Sequence, residues 1–118
     1  MTVYKSWAHQ GFGVVEVTGD LGSAESVVFH AAIRSAVDQA RAPFLVIACS
    51  AINRIALGPI SVVISTSQAL RAHGGQVALA GSDARIRRAL RVGGITDIDL
   101  FPNLEAAFAA TGGRGDLR

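Results

Sequence analysis

Apolar and polar positions alternate along this chain in two rhythms, one with a period of two and one with helical spacing. Residues 2–7 alternate weakly and predict an edge strand. Gly13-Val14-Val15-Glu16-Val17-Thr18 is β-rich and ends at the turn signal Gly19-Asp20. Ser23 is placed to cap the next segment, with Glu25 in its first turn. There Phe29, Ile33, Ala36, Val37 and Ala40 recur at helical spacing, while Arg34, Asp38 and Arg41 point elsewhere, and Pro43 stops the helix. Phe44-Leu45-Val46-Ile47-Ala48-Cys49 shows no polar alternation, the pattern of a strand covered on both faces in a parallel sheet.

The next segment is ambiguous locally. Ile60, Val62, Val63, Ile64 and Thr66 are β-branched and would suit a strand. Length decides for a helix over residues 59–73, closed by Gly74-Gly75, with Gly58 as its cap and Pro59 at its first position. Residues 76–80 predict a strand. Ser82 is expected to cap a helix with Asp83 in its first turn, Ile86, Ala89 and Leu90 inward, and Arg85, Arg87, Arg88 and Arg91 outward; Gly93-Gly94 ends it. A short strand over residues 97–101 follows. A last helix is capped by Asn103, with Glu105 near its start and Leu104, Ala107 and Phe108 inward; residues 112–118 read as a frayed tail. The order ββαβαβαβα predicts an α/β domain: a mostly parallel mixed sheet of four to five strands, right-handed crossovers, about four helices and an N-terminal hairpin.

The length of 118 residues suits one domain, and a hydrophobic half of the chain supplies its core. A formal net charge of +2 is too mild to argue for direct nucleic-acid binding. A single cysteine, Cys49, excludes an internal disulfide and a paired-cysteine metal site. No apolar signal core opens the chain, and no window reaches the ~18 apolar residues of a membrane span, so a soluble cytoplasmic protein is expected.

Candidate chemistry is sparse. His9, His30 and His73 have no recognisable nucleophile or acidic partner, so no catalytic constellation and no enzyme is expected. Asp97 and Asp99 share a strand face without a third ligand, so no metal site is expected, nor any other cofactor. Gly11-x-Gly13 precedes a strand and opens no helix, unlike a dinucleotide fingerprint; Arg114-Gly115-Asp116 is read as a chance tripeptide. The stripe Arg85, Arg87, Arg88 and Arg91 is the one charge cluster. It reads first as a solvated face, with acidic protein surfaces, anionic lipid headgroups, nucleotides or RNA as its candidate ligands; the lack of aromatic residues on which bases stack lowers the single-stranded nucleic-acid reading.

Several stretches in order carry a family resemblance. They are Val15-x-Val17-x-Gly19-Asp20-Leu21, the strand from Phe44, the helix closing at Gly74-Gly75, and Gln76-Val77-Ala78-Leu79-Ala80-Gly81. Ile86-Arg87-Arg88-Ala89-Leu90 leading to Gly94, and Phe101-Pro102 before Leu104-Glu105-Ala106-Ala107, complete the set. With these the chain resembles a STAS domain of the bacterial anti-sigma-factor antagonists, with residues 1–112 as the domain and 113–118 as a flexible tail. The resemblance implies binding to an anti-sigma factor that is also a serine-protein kinase. It also implies a switch: phosphorylation in an Asp-Ser-Ser-Gly motif at the start of the central helix breaks the complex electrostatically. That motif falls on Ala56-Leu57-Gly58-Pro59, so the aspartate position is Ala56 and the phosphoacceptor position is Gly58. Gly22 stands where the family often has an aspartate. The implied partner face comprises Asp20, Gly22, Ala56, Leu57, Gly58, Pro59 and Ser61, with Ser61 the first surrogate hydroxyl. The expected function is a divergent anti-sigma-factor antagonist without the usual phosphorylation site. The alternative is a STAS interaction subunit of a membrane transport or stress-signalling assembly. The sequence leaves a homodimer open.

Overall fold

The computed structural model describes residues 2–94 and 98–115, with residues 111–115 described by their backbone alone. The elements follow the expected order: β1 (Val3–His9), β2 (Phe12–Leu21), α1 (Ser26–Gln39), β3 (Phe44–Ile55), α2 (Leu57–Arg71), β4 (Gln76–Ala80), α3 (Ala84–Val92), β5 (Asp99–Phe101) and α4 (Leu104–Gly115). They form one sheet in the order β1-β2-β3-β4-β5. β1 runs antiparallel to β2, and the remaining neighbours are parallel. The hairpin turns on Gln10 (φ 51°) and Gly11 (φ 90°) between paired His9 and Phe12, the two-residue loop with both φ values positive that matches strand twist. The Gly11 carbonyl accepts the N–H groups of Arg41 (2.8 Å) and Ala42 (3.2 Å), which ties this turn to the end of α1.

Helices α1, α2 and α3 bury one sheet face. Phe29, Ile33, Ile60, Val63, Leu70, Ile86 and Leu90 pack with Val15, Val17, Leu45, Ile47, Val77 and Leu79. A glycine at position 13 permits the close approach of α1, because a Cβ there would stand 2.7 Å from the Ala36 carbonyl oxygen. Helix α4 covers part of the other face, where Ala107 and Leu104 meet Val46, Ala78 and Ala80. The His9 ring stacks on Phe108 at 3.9 Å between centroids, so this histidine serves packing.

Several boundaries differ from the sequence reading. A 3-10 turn, Ser23–Glu25, precedes α1, so Ser23 lies in that turn and makes no side-chain cap. β3 continues past the apolar run to Ile55 because Ala51, Ile52, Arg54 and Ile55 keep pairing with β2. β4 ends opposite Ala48, so this distal half of β3 is paired on one side only and reverts to partial exposure. Asp83, not Ser82, caps α3: its Oδ1 accepts the Ile86 N–H at 3.0 Å. Asn103 does cap α4, accepting the Ala106 N–H at 2.8 Å. β5 is described from Asp99; Asp97 lies outside the described residues. The α4 backbone stays helical through Gly115, past the point where the sequence suggests a tail.

Candidate functional site

The site lies where the ends of β2 and β3 lead into the 3-10 turn and α2. Leu21 and Ile55 are register partners, and the Ala56 N–H donates to the Leu21 carbonyl at 2.8 Å. Ala56 is therefore the residue that leaves the sheet, and it, not Gly58, is the α2 N-cap (φ −92°, ψ 171°). Its methyl group offers no oxygen, so no side chain caps the helix. Leu57, Gly58 and Pro59 occupy the first three helical positions, and the first intrahelical bond runs from the Ile60 N–H to the Ala56 carbonyl at 3.2 Å. Proline is tolerated at the third position for the same reason as at the first: an N–H there has no intrahelical acceptor.

The expected partner-face residues separate by exposure. Leu57 is 70% exposed, a large apolar side chain presented to solvent at the tip of α2. Ser61 is exposed one turn further along, Gly22 and Gly58 are half-buried, and Pro59 is buried. Pro59 thus supports this surface from beneath. Asp20 is exposed and faces Arg54 across the β2–β3 register, with 3.6 Å between carboxylate and guanidinium. Both partners are solvated, so the pair is worth at most about 1 kcal/mol. Leu21, Gly22, Arg54, Ile55 and Ala56 line a shallow depression there.

Three residues of the site were not legible as such. Ser26 is the first. A Cβ built on Gly58 would overlap the Ser26 Oγ, so the serine hydroxyl of α1 fills the place of a residue-58 side chain. This hydroxyl donates to the Ser23 carbonyl at 2.9 Å. Val27, 80% exposed, is the second. It is out of phase with the buried stripe Phe29-Ile33-Ala36, a signal present in the sequence. Arg54 is the third; its place followed from the unexpected length of β3. The 3-10 turn that presents Ser26 is anchored by Tyr4, whose phenol donates to Glu25 Oε1 at 2.8 Å while its ring stacks on Phe29. Burial, reinforced by the Glu25 carboxylate, raises the Tyr4 pKa and keeps the phenol a donor.

Other candidates find structural roles. Arg85 donates to Asp83 through Nη2 (2.8 Å) and Nε (3.2 Å), and Arg87 donates to the Ser82 carbonyl at 3.0 Å, so half of the arginine stripe braces its own helix end. The Arg85 guanidinium and the Ile86 N–H hold the Asp83 carboxyl below the usual carboxylate range. His73 Nδ1 lies 3.0 Å from the Ala69 carbonyl, His30 is exposed, and Cys49 is buried. Burial, with a smaller contribution from Asp83, pushes the Cys49 thiol up to about 12. Among the described residues no group of three His, Cys, Asp or Glu side chains is placed to hold a metal ion. No helix among them is long and apolar enough to cross a membrane.

The fold and this face define a small α/β domain with an exposed apolar helix tip at the carboxyl ends of its parallel strands. The family description "STAS domain" matches residues 7–107, and the chain belongs to the STAS-domain family. Among solved structures, an anti-sigma factor antagonist from Mycobacterium paratuberculosis is similar at a TM-score of 0.78 and 24% identity, with 93% of each chain covered. A variant of RsbS from Moorella thermoacetica gives 0.79 and 16%, covering 97% of this chain and 98% of its own. The Bacillus cell-fate determinant SpoIIAA in its phosphorylated form gives 0.74 and 14%, covering 92% and 99%. At such identities the likeness establishes the fold. No curated protein matches the sequence.

Proposed function

We propose that this chain is an anti-sigma-factor antagonist that acts by docking on an anti-sigma factor, itself a serine-protein kinase, and catalyses nothing of its own. The observation that carries the reading is the exposed apolar tip of α2, Leu57, next in chain to the Gly58 that Ser26 of α1 overlies, with the exposed Val27 following Ser26. Large apolar side chains at 70% and 80% exposure lose hydration cost when a partner covers them, and Leu57 stands on the face that the resemblance assigns to the kinase. Antagonists among the structural neighbours support the same reading. The usual phosphoacceptor position is Gly58, which has no hydroxyl, so a switch by phosphorylation at that residue is chemically closed.

The test is calorimetric titration of the full chain with recombinant anti-sigma serine kinases from the same source. Submicromolar binding that Leu57→Asp weakens by about a hundredfold is the expected result. If no such kinase binds the folded chain, the reading fails. The transport and stress-signalling assemblies that use this domain then become the place to look for its partner.

A further inference from the structure

We infer that Ser26, on α1, is the phosphoacceptor that switches this docking surface, in place of the hydroxyl that position 58 lacks. The inference rests on the kinase-docking reading above and deepens it. Its basis is the overlap between the Ser26 Oγ and the space a Gly58 Cβ would fill. A kinase that reaches the start of α2 meets a hydroxyl there, although the chain that carries it is a different helix. Val27 follows Ser26 directly in the chain, and Leu57 precedes the glycine that Ser26 overlies; both are exposed. Its Oγ is held by a single hydrogen bond, to the Ser23 carbonyl, at a solvent-accessible site.

Other hydroxyls fit less well. Ser61 is exposed but a turn further along α2, Ser65 bonds back to the Val62 carbonyl at 3.1 Å, and Ser67 is buried. In the transfer, the Ser26 oxygen attacks the γ-phosphorus of ATP bound to the kinase. The Oγ–P bond forms, the bond from that phosphorus to the leaving ADP oxygen breaks, and the hydroxyl proton passes to the kinase's base. The product carries a charge of about −1.5 to −2 and no longer has a proton to donate. Two consequences follow at once. The bond to the Ser23 carbonyl is lost and becomes a repulsion between oxygens, next to the carboxylate of Glu25. A group of charge about −1.5 to −2 must also be desolvated at the start of α2 when the partner covers Leu57, which weakens docking.

The experiment takes the full chain, Ser26→Ala and Ser26→Glu, each checked for native circular dichroism, and the recombinant anti-sigma kinase with and without Mg-ATP. Binding without nucleotide is measured first and tests the docking reading alone. With ATP, wild type is expected to gain one phosphoryl group that peptide mass mapping places on residue 26, and to lose affinity by at least about tenfold. Ser26→Ala gains none and keeps its own affinity when ATP is added; Ser26→Glu binds more weakly than wild type without ATP. Tight binding without phosphoryl transfer, transfer to Ser61 or any other residue, or a Ser26→Glu variant that binds like wild type overturns the inference while leaving the docking reading intact. Absence of binding before ATP is added overturns both.

Discussion

Gly58 and Gly75 both sit where an added Cβ would collide, yet what they would meet differs. At Gly58 the obstacle is the end of a serine side chain; at Gly75 it is the Pro43 backbone carbonyl, which is already committed to the Gln76 N–H at 3.0 Å. A side chain can rotate away and a bonded carbonyl in a strand connection cannot. Gly75→Ala is therefore expected to cost about 3 kcal/mol and Gly58→Ala less than about 1 kcal/mol, read from urea denaturation midpoints at constant slope. Titration gives a second prediction at this scale. Asp83 is held below the ordinary carboxylate range by Arg85 and the Ile86 N–H, so its stabilising effect is fully present above the unfolded-state value of about 3.9 and is lost as pH falls through the lower folded value. Wild type is expected to be more stable than Asp83→Asn at neutral pH, with the gap closing on acidification; a pH-independent gap would contradict this. Cys49, buried and with its thiol pushed up to about 12, should resist thiol reagents at pH 7 in the native state and react only on unfolding, a difference an aromatic disulfide reagent reads directly.

At the scale of elements, helical and strand patterns in the sequence placed the described strands and α-helices but not the 3-10 turn Ser23–Glu25, and the larger boundary misses have one physical source: neighbours in space. The first part of β3 was legible because both its faces are buried and its residues are all apolar. Its distal part was not, because Asn53 and Arg54 look like loop residues until β2 is seen to pair with Ile52 and Arg54 on either side of a register shift at Asn53. The α2 start shifted by two residues for the same reason. The Ala56 N–H is bound by Leu21, a long-range contact that fixes where strand ends and helix begins, and no local cap residue announces it. Gly58 and Leu57 could be singled out from sequence, since they lie on the chain's own path through a recognisable pattern. Ser26 could not, because its relation to Gly58 exists only once α1 and α2 are packed. Asn103 is a local cap that the sequence names; Asp83 is equally local, but the adjacent Ser82 is as good a cap residue and the sequence does not choose between them. Asn103→Ala is expected to cost about 1 kcal/mol and to speed amide exchange in the first turn of α4 more than elsewhere.

For the molecule as a whole, stability and recognition reside in separate places. The core lies between the sheet and α1, α2 and α3, with a smaller one under α4, whereas Leu57 and Val27 project from the rim. Leu57→Asp is accordingly expected to leave the unfolding free energy within about 0.5 kcal/mol of wild type while weakening partner binding. A parallel fall in both would show that the tip belongs to the core. The strand order adds a consequence for synthesis. Because spatial order and chain order coincide from β1 to β5, each strand leaving the ribosome meets an edge already laid down, and none has to be inserted between two that are paired. The nascent sheet grows from one side only. Until β5 pairs, the border that awaits a partner is the last strand in chain order, while the outer edge of β1 stays unpaired throughout.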